Sequence, residues 1–259
     1  MSCRIDYQAP TDLLEGRVIL VTGAGDGIGR AAALAFARHG ATVILLGRTL
    51  GKLEKVYDEI EAAGCPQPAI VPLNFEGATL KDYHDLAEML DKEFGRLDGL
   101  LHNASLLGRI TPFEQYNPEL WEQVMQVNFN GPVWMTQALL PLLQASKDAS
   151  LVFTSSSVGR KGRAYWGAYS VSKFATEGFM EVLADEVEHL STLRVNSLNP
   201  GATRTTMRAN AYPGEDPESL PTPQAIMPTY LWLMGPDSQG HNGERFDAQP
   251  PKAAQPQTS

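Results

Sequence analysis

Tyr169 and Lys173 are separated by four positions in the run Tyr169-Ser-Val-Ser-Lys173. This spacing places both side chains on one face of a helix. A phenol has an unperturbed pKa of ~10, which makes it a poor proton donor or acceptor at neutral pH. A cation one helical turn away favours the phenolate and should lower that pKa. The pair therefore predicts proton-transfer chemistry, although a Tyr–Lys pair by itself is more often a solvated surface contact.

Two further polar side chains accompany this pair. Ser156 follows the apolar run Leu151–Thr154 and precedes Tyr169 by 13 residues. Because the carboxyl ends of parallel strands border the ligand crevice of such sheets, Ser156 should face the same site. Asn128 is a polar residue within the otherwise apolar run VMQVNF. These side chains complete the set of candidate catalytic residues.

A glycine-rich segment, Thr22–Gly29, follows the first apolar run and precedes a helical pattern. Glycines at such a turn allow positive φ and close approach of the backbone to a pyrophosphate, which the N-terminus of the next helix can bind. The spacing is G-x-x-x-G-x-G, formed by Gly23, Gly27 and Gly29, rather than G-x-G-x-x-G. A tight turn that binds no ligand is the alternative.

The elements that must position these residues alternate along the chain. Short apolar runs predict buried strands at Val18–Thr22, Thr42–Leu46, Ala69–Leu73, Gly99–His102, Leu151–Thr154 and Arg194–Leu198. Helical patterns lie between them at Ile28–His39, Gly51–Ala63, Thr79–Phe94, Pro118–Gln144 and Tyr169–Leu190. This alternation predicts an α/β protein with a doubly wound parallel sheet and helices on both faces, a Rossmann fold.

No internal linker or repeat divides the chain, so residues 1–259 are predicted to form a single domain. Residues 1–13 would form an N-terminal arm, and residues 249–259, which are poor in apolar side chains, would form a flexible tail. Prolines between residues 207 and 227 argue against one continuous helix there and favour a long surface excursion.

Composition excludes several classes of protein. The formal net charge is −9 with no basic stripe, which argues against a nucleic-acid partner. Cys3 and Cys65 lack ligand-like spacing, so we expect neither a disulfide framework nor a metal site. No secretory signal or membrane-spanning run is visible, and a cytoplasmic location without membrane partners is the expectation.

The motifs TGAGDGIG, HNAS, SSS…YSVSK and NPG, together with Asn128, occur in the order seen in one enzyme family. On these motifs the chain resembles the classical short-chain dehydrogenase/reductases from about Leu14 to Ala248. Runs such as VFTSSSVGR and WGAYSVSK resemble a bacterial subgroup of ketoacyl-reductase-like oxidoreductases.

This resemblance implies an EC 1.1.1-type oxidoreductase with a Ser–Tyr–Lys–Asn tetrad. Ser156 would polarise the substrate oxygen, and Tyr169 would transfer the hydroxyl proton. Lys173 would lower the pKa of Tyr169 and bind the nicotinamide ribose, while Asn128 would hold a water of a proton relay. The alternative is a dinucleotide-binding regulator or sensor with little or no turnover.

The family pattern also implies a set of cofactor-binding residues. They are Gly23, Gly25, Asp26, Gly27, Ile28, Gly29, Arg48, Asn74, Phe75, Asn103, Ala104, Tyr169, Lys173, Pro200, Gly201, Thr203 and Thr205. Arg48 follows the second strand, where NAD enzymes place an acid, and its guanidinium suits a 2′-phosphate. NADP(H) is therefore expected over NAD(H), although Asp26 stands where many NADP members place a basic residue nearby.

Two sequence features complete these expectations. Ser105 replaces a family glycine, and if that position needs positive φ, the serine is strained. A small carbonyl or alcohol substrate of hydrophobic or aromatic character is expected to meet Leu106, Tyr165, Trp166, Met207 and Tyr212. By its resemblance to the family, the protein is expected to be a homodimer or homotetramer.

Overall fold

The computed structural model describes residues 2–250, which form a parallel sheet covered by helices. The strands are β1 (Ser2–Cys3), β2 (Val18–Thr22), β3 (Thr42–Gly47), β4 (Ala69–Pro72), β5 (Gly99–His102), β6 (Ser150–Thr154), β7 (Arg194–Asn199) and β8 (Arg245–Asp247). The helices are α1 (Gly27–Arg38), α2 (Leu50–Ala62), α3 (Leu80–Phe94), α4 (Pro118–Met125), α5 (Gly131–Gln144), α6 (Gly167–Val187), α7 (Thr206–Ala211) and α8 (Met227–Met234).

The strand order is β1-β8-β7-β6-β5-β2-β3-β4, with every pairing parallel. The chain runs outward from β2 through β3 to β4, and then returns so that β5 pairs with the other side of β2. At such a reversal the two adjoining connections leave in opposite directions, which opens a crevice beyond the carboxyl ends of the strands. The predicted doubly wound sheet is confirmed.

Each face of the sheet has its own apolar core because side chains alternate along the strands. Ile19 and Val21 of β2 belong to the core that includes α1, α2 and α8. Leu20 of the same strand belongs to the core that includes α3, α5 and α6. All five residues of β2 are buried, as expected for a strand covered on both faces.

The long helix predicted from Pro118 to Gln144 is interrupted. A π-helical segment, Gln126–Asn130, separates α4 from α5. A π turn contains one residue more than an α turn, so it shifts the side chains that follow and is common at functional sites. Asn128 lies inside this segment and is buried.

The two ends of the chain pack beside each other. Ser2 and Cys3 of the predicted arm pair with Phe246 and Asp247 of β8. The predicted tail begins at Gln249, whose side chain is held by hydrogen bonds to the loop after β7. Residues 251–259 of that prediction lie outside the described residues.

None of the helices in residues 2–250 is both long and apolar enough to cross a membrane. Within the same residues, no group of three or more His, Cys, Asp and Glu side chains is arranged to hold a metal ion.

An ion-pair cluster joins the amino-terminal ends of β2, β6 and β7, opposite the crevice. Asp148, just before β6, accepts hydrogen bonds from Arg17 at 2.8 Å and from Arg194. Arg194 is buried and Asp148 is largely so. Removing the carboxylate would leave two largely buried guanidinium groups without their counter-ion.

We therefore expect Asp148→Asn to lower the free energy of unfolding by about 3 kcal/mol, the usual cost of breaking a buried ion pair from one side. Urea denaturation would measure it. Asp85→Asn is the matched control, because Asp85 pairs with Lys81 on the surface, and it should leave the midpoint unchanged. Equal midpoints for all three proteins would contradict this role of Asp148.

Candidate active site

The glycine turn joins β2 to α1 and opens the crevice. Gly23 and Gly27 have φ of 69° and 52°, values that glycine tolerates far better than other residues. A Cβ on Gly29 would lie 2.2 Å from the Gly23 carbonyl oxygen. The turn therefore needs glycine at these positions for backbone reasons alone. Asp26 caps α1, accepting a hydrogen bond from Gly27 N at 2.7 Å.

The loop after β5 is tied to this turn. The amides of Asn103 and Ala104 donate to Thr22 Oγ1 at 2.9 and 3.0 Å, and Asn103 Nδ2 donates to Thr22 O at 3.3 Å. Thr22 ends β2 and Asn103 directly follows β5, the strand that pairs with β2 at the strand-order reversal. The two predicted cofactor-binding segments thus form one edge of the crevice.

Tyr169 and Lys173 lie on α6 with their polar ends buried beside β6. Tyr169 is 8% exposed and Lys173 is 3% exposed. Lys173 Nζ donates to Thr154 O at 2.8 Å and lies 5.6 Å from the centre of the Tyr169 ring. Ser156 follows β6, where its Oγ caps the short turn Ser157–Gly159. The predicted surface alternative for the Tyr–Lys pair does not apply, since both groups are buried.

The protonation states differ from the simple expectation for this pair. Burial raises the pKa of Tyr169 to about 12, and the Ser156 hydroxyl acts in the lowering direction. Burial lowers the pKa of Lys173 to about 8, and the negative charge of Glu177 opposes that shift. The expected lowering of the Tyr169 pKa is thus wrong for the protein alone, because removal of the phenol from water raises it. At pH 7 Tyr169 is a neutral phenol, which can donate a proton.

Asn128 connects the π segment to the loop after β5. Its Oδ1 accepts from Leu106 N at 2.7 Å, and its Nδ2 donates to Leu106 O and to Ser172 Oγ, both at 3.0 Å. Both amide hydrogens are used within the protein. A water beside this side chain could therefore bind only to Oδ1.

His102, the first residue of the HNAS motif, ends β5 and is buried in the core. Its Nε2 shares a 2.8 Å hydrogen bond with Thr136 Oγ1, and its ring stacks on Phe153 at 5.0 Å. Burial, together with the charge of Lys173, lowers its pKa to about 3. His102 is therefore neutral at physiological pH and packs as an uncharged ring.

A cleft of about 730 Å³ runs from the glycine turn to Tyr169. Most of the predicted cofactor-binding residues line it: Gly23, Gly25, Asp26, Gly27, Ile28, Arg48, Asn74, Phe75, Asn103, Ala104, Tyr169, Lys173, Pro200 and Thr205. Gly29, Gly201 and Thr203 do not line it. Asn128 and Ser156 are also absent from its lining.

One lining residue that sequence reasoning missed is Lys52. It lies on α2, and its Nζ pairs with Asp26 Oδ2 at 2.5 Å. This hydrogen bond is the main cause of the lowered pKa of Asp26. Arg48 lines the same part of the cleft, so Asp26, Arg48 and Lys52 together carry one net positive charge. Asp26 and Lys52 are distant in sequence, and no local pattern signals their contact.

The predicted substrate residues separate into two groups. Leu106 and Met207 line the cleft, with Leu107 and Ile110, whereas Tyr165, Trp166 and Tyr212 do not. Trp166 lies beside it, with its ring 5.7 Å from that of Tyr169 and 6.0 Å from that of Tyr212. As predicted, the segment from 207 to 227 is no continuous helix, since α7 is followed by two short 3₁₀ turns.

Ser105 also differs from expectation. Among the non-glycine residues from 2 to 250, only Tyr165 has positive φ, at 75°. Ser105 therefore carries no strain from a positive φ. The residue lines the cleft, but its Oγ is buried from solvent and has no hydrogen-bond partner in the described chain.

Known proteins similar to this chain include short chain dehydrogenases and an oxidoreductase. A family model described as short chain dehydrogenase matches residues 17–216. The oxidoreductase YciK of Escherichia coli K12 is 57% identical over 244 residues, which are 94% of this chain and 96% of that protein. A short chain dehydrogenase structure from Pseudomonas syringae has 62% identity and a TM-score of 0.93, covering 94% of this chain and 99% of that one.

Related structures have been solved in complex with NADP or NADPH. One of them, a short chain dehydrogenase from Escherichia coli CFT073 in complex with NADPH, is 57% identical, with a TM-score of 0.91. The match covers 93% of this chain and 100% of that one.

Because Ser105 has no positive φ, glycine should bring no backbone advantage at this position. We expect the free energy of unfolding of Ser105→Gly to lie about 0.5–1 kcal/mol below that of Ser105→Ala, through added freedom of the unfolded chain. Ser105→Ala is the matched reference because both variants remove the unpaired buried hydroxyl. Chemical denaturation of the two variants measures this, and a Ser105→Gly variant more stable than Ser105→Ala would restore the strain hypothesis.

Proposed function

The chain belongs to the short-chain dehydrogenase family, and on that premise we propose that it is an NADP(H)-dependent oxidoreductase acting on a carbonyl compound or the corresponding secondary alcohol. One observation carries this proposal. Buried Tyr169 and Lys173 form one end of a cleft whose other end is the glycine turn. A dinucleotide bound along that cleft would bring its nicotinamide to the phenol.

The cleft fits such a dinucleotide. Gly23, Gly25 and Gly27 line the cleft without side chains, so a ligand can approach the backbone closely there, and the N-terminus of α1 offers a positive dipole end to a pyrophosphate. When bound, the nicotinamide would supply the hydride acceptor or donor, and the protein supplies placement and electrostatics.

The preference for NADP(H) over NAD(H) follows from charge. A 2′-phosphate next to Arg48 would meet a guanidinium whose fork matches its oxygens. Lys52 neutralises Asp26, which removes the main argument against a phosphate at this end of the cleft. The NADPH bound to the E. coli relative supports the same preference.

The chemistry of the tetrad follows from the protonation states. Ser156 would donate a hydrogen bond to the substrate oxygen and fix it beside Tyr169. Tyr169, a neutral phenol, would give its proton to that oxygen during carbonyl reduction and take it back during alcohol oxidation. Lys173, protonated at pH 7, would stabilise the phenolate that remains. Asn128 would hold Leu106 and, through Oδ1, a water of the proton relay.

Apolar side chains line the part of the cleft where a substrate would bind. They belong to Leu106, Leu107, Ile110 and Met207, and they favour a hydrophobic or aromatic substrate.

Two large apolar side chains are exposed on neighbouring helices. Trp134 of α5 and Phe174 of α6 are 42% and 44% exposed, which supports a homo-oligomer formed through these helices.

The cofactor preference can be tested by binding. Arg48→Ala and Lys52→Ala should each raise the Kd for NADPH by about 10- to 100-fold, the loss of a hydrogen bond between charged groups. The Kd for NADH should change little, because NADH lacks the 2′-phosphate. Lys55→Ala, an exposed lysine of α2, is the control for a general charge effect. Equal wild-type affinities for NADH and NADPH would refute the preference.

The acid can be tested by turnover. Tyr169→Phe keeps the ring but removes the proton, so we expect kcat on an active carbonyl substrate to fall by about 100- to 10,000-fold. The Kd for NADPH should stay within a few-fold of the wild type. A panel of hydrophobic and aromatic carbonyl compounds identifies that substrate. Near-wild-type turnover by the variant would show that Tyr169 is not the acid, and NADPH binding without turnover on any compound would favour the sensor alternative.

A further inference from the structure

A buried carboxylate without a role in the proposed tetrad lies behind the catalytic residues. Glu177 lies on α6 one turn after Lys173 and is 2% exposed. Its Oε1 accepts a hydrogen bond from Ser155 Oγ at 2.5 Å, and its Oε2 accepts one from Ser197 Oγ at 2.7 Å. An unpaired carboxylate is costly to bury, so this one is held in place by its partners.

These hydrogen bonds connect three elements at the carboxyl edge of the sheet. Ser155 follows β6 and directly precedes the catalytic Ser156, while Ser197 lies in β7. The Ser155 amide also donates to Leu198 O at 2.8 Å. Glu177 therefore links α6, which carries Tyr169, to the segment after β6, which carries Ser156.

Charged groups from two other segments also face Glu177. Arg160, after β6, donates from Nε to Oε1 at 3.2 Å, and Arg245 of β8 places its Nε 3.2 Å from Oε2. Each arginine has a second acid: Arg160 bonds to Asp247 at 3.0 Å and Arg245 bonds to Glu181 at 2.6 Å. The negative charge of Glu177 is therefore only partly offset by these two cations, and it still acts on Lys173.

Three other groups near Lys173 carry no negative charge that could balance its ammonium. Tyr169 and His102 are neutral at pH 7, and Thr154 contributes only its carbonyl oxygen. A buried ammonium needs a negative charge near it to remain protonated. Glu177 lies one helical turn away on the same face of α6.

We propose that Glu177 is a positioning residue for the reaction, whose buried negative charge keeps Lys173 protonated beside Tyr169 while its hydrogen bonds fix the strand end that carries Ser156. This inference rests on the proposed function. Glu177 touches neither substrate nor cofactor in it, and acts through its neighbours.

The sign of the pH effect follows. Burial lowers the pKa of Lys173 to about 8, and Glu177 acts in the raising direction. Carbonyl reduction needs the ammonium, so kcat/KM should fall as pH rises through this pKa. Without the charge of Glu177 that fall should begin at lower pH.

The test is the pH profile of kcat/KM for NADPH-dependent carbonyl reduction by the full chain. Glu177→Gln keeps the volume of the side chain but removes its charge, and should move the alkaline limb down by about one pH unit, the effect expected of one nearby charge. Arg245→Met removes a cation that shares the field of Glu177, and should move the limb up. Arg245 is 39% exposed, so this variant should fold even if Glu177→Gln does not.

Two controls separate charge from structure. Ser197→Ala removes one hydrogen bond to Glu177 but keeps its charge, and should leave the limb in place. Lys81→Met removes a remote surface cation and should also leave it in place. An unmoved limb in Glu177→Gln, a downward shift in Arg245→Met, or an equal shift in Ser197→Ala would each overturn the inference.

A second readout does not depend on turnover. The pKa of Lys173, measured from the pH dependence of its ¹³Cε chemical shift in the NADPH-free protein, should shift with the same signs in Glu177→Gln and Arg245→Met. If the wild type binds NADPH but reduces no carbonyl compound, the proposed function fails while this titration still decides the role of Glu177. An unchanged Lys173 pKa in both variants would overturn that role.

Discussion

The reversal of strand order between β2 and β5 is the constraint on which the site depends. Because β5 returns to pair with β2, the connections that follow these two strands diverge above the carboxyl edge of the sheet. Thr22 then bonds to the backbone of Asn103 and Ala104 across the gap. The next strands in spatial order, β6 and β7, extend the same edge toward Ser156 and the Pro200–Gly201 loop.

Polar groups at this edge are buried, and the surrounding structure has to satisfy them. Asn128, which is buried within the π segment, hydrogen-bonds to the backbone of Leu106. Lys173 bonds to the carbonyl oxygen of Thr154 at the end of β6. The first of these contacts joins the π segment to the loop after β5, and the second joins α6 to the end of β6. The candidate catalytic side chains are therefore held by hydrogen bonds that also connect elements of the fold.

The C-terminal segment completes the edge. Gln249, just beyond β8, donates to Pro200 O at 2.8 Å and to Ala202 O at 2.9 Å. Asp247 accepts from Asn199 Nδ2 at 2.7 Å, and Asn199 Oδ1 in turn accepts from Gly201 N at 3.1 Å. The loop after β7 is thus fixed from two sides, which keeps one wall of the cleft ordered.

The sequence by itself determined what depends on local pattern. Short apolar runs defined the six strands from β2 to β7, the glycines of Thr22–Gly29 defined the turn, and the spacing of Tyr169 and Lys173 defined their shared helix face. Tertiary structure alone decided the charges and protonation states of the site. Burial raises the pKa of Tyr169, and the charge of Asp26 is balanced by Lys52 from another helix. The partners of Glu177 come from β7, β8 and the segment after β6. A pKa depends on every charge and every water displaced within several ångströms, and residues brought that close by folding leave no mark in their sequence spacing.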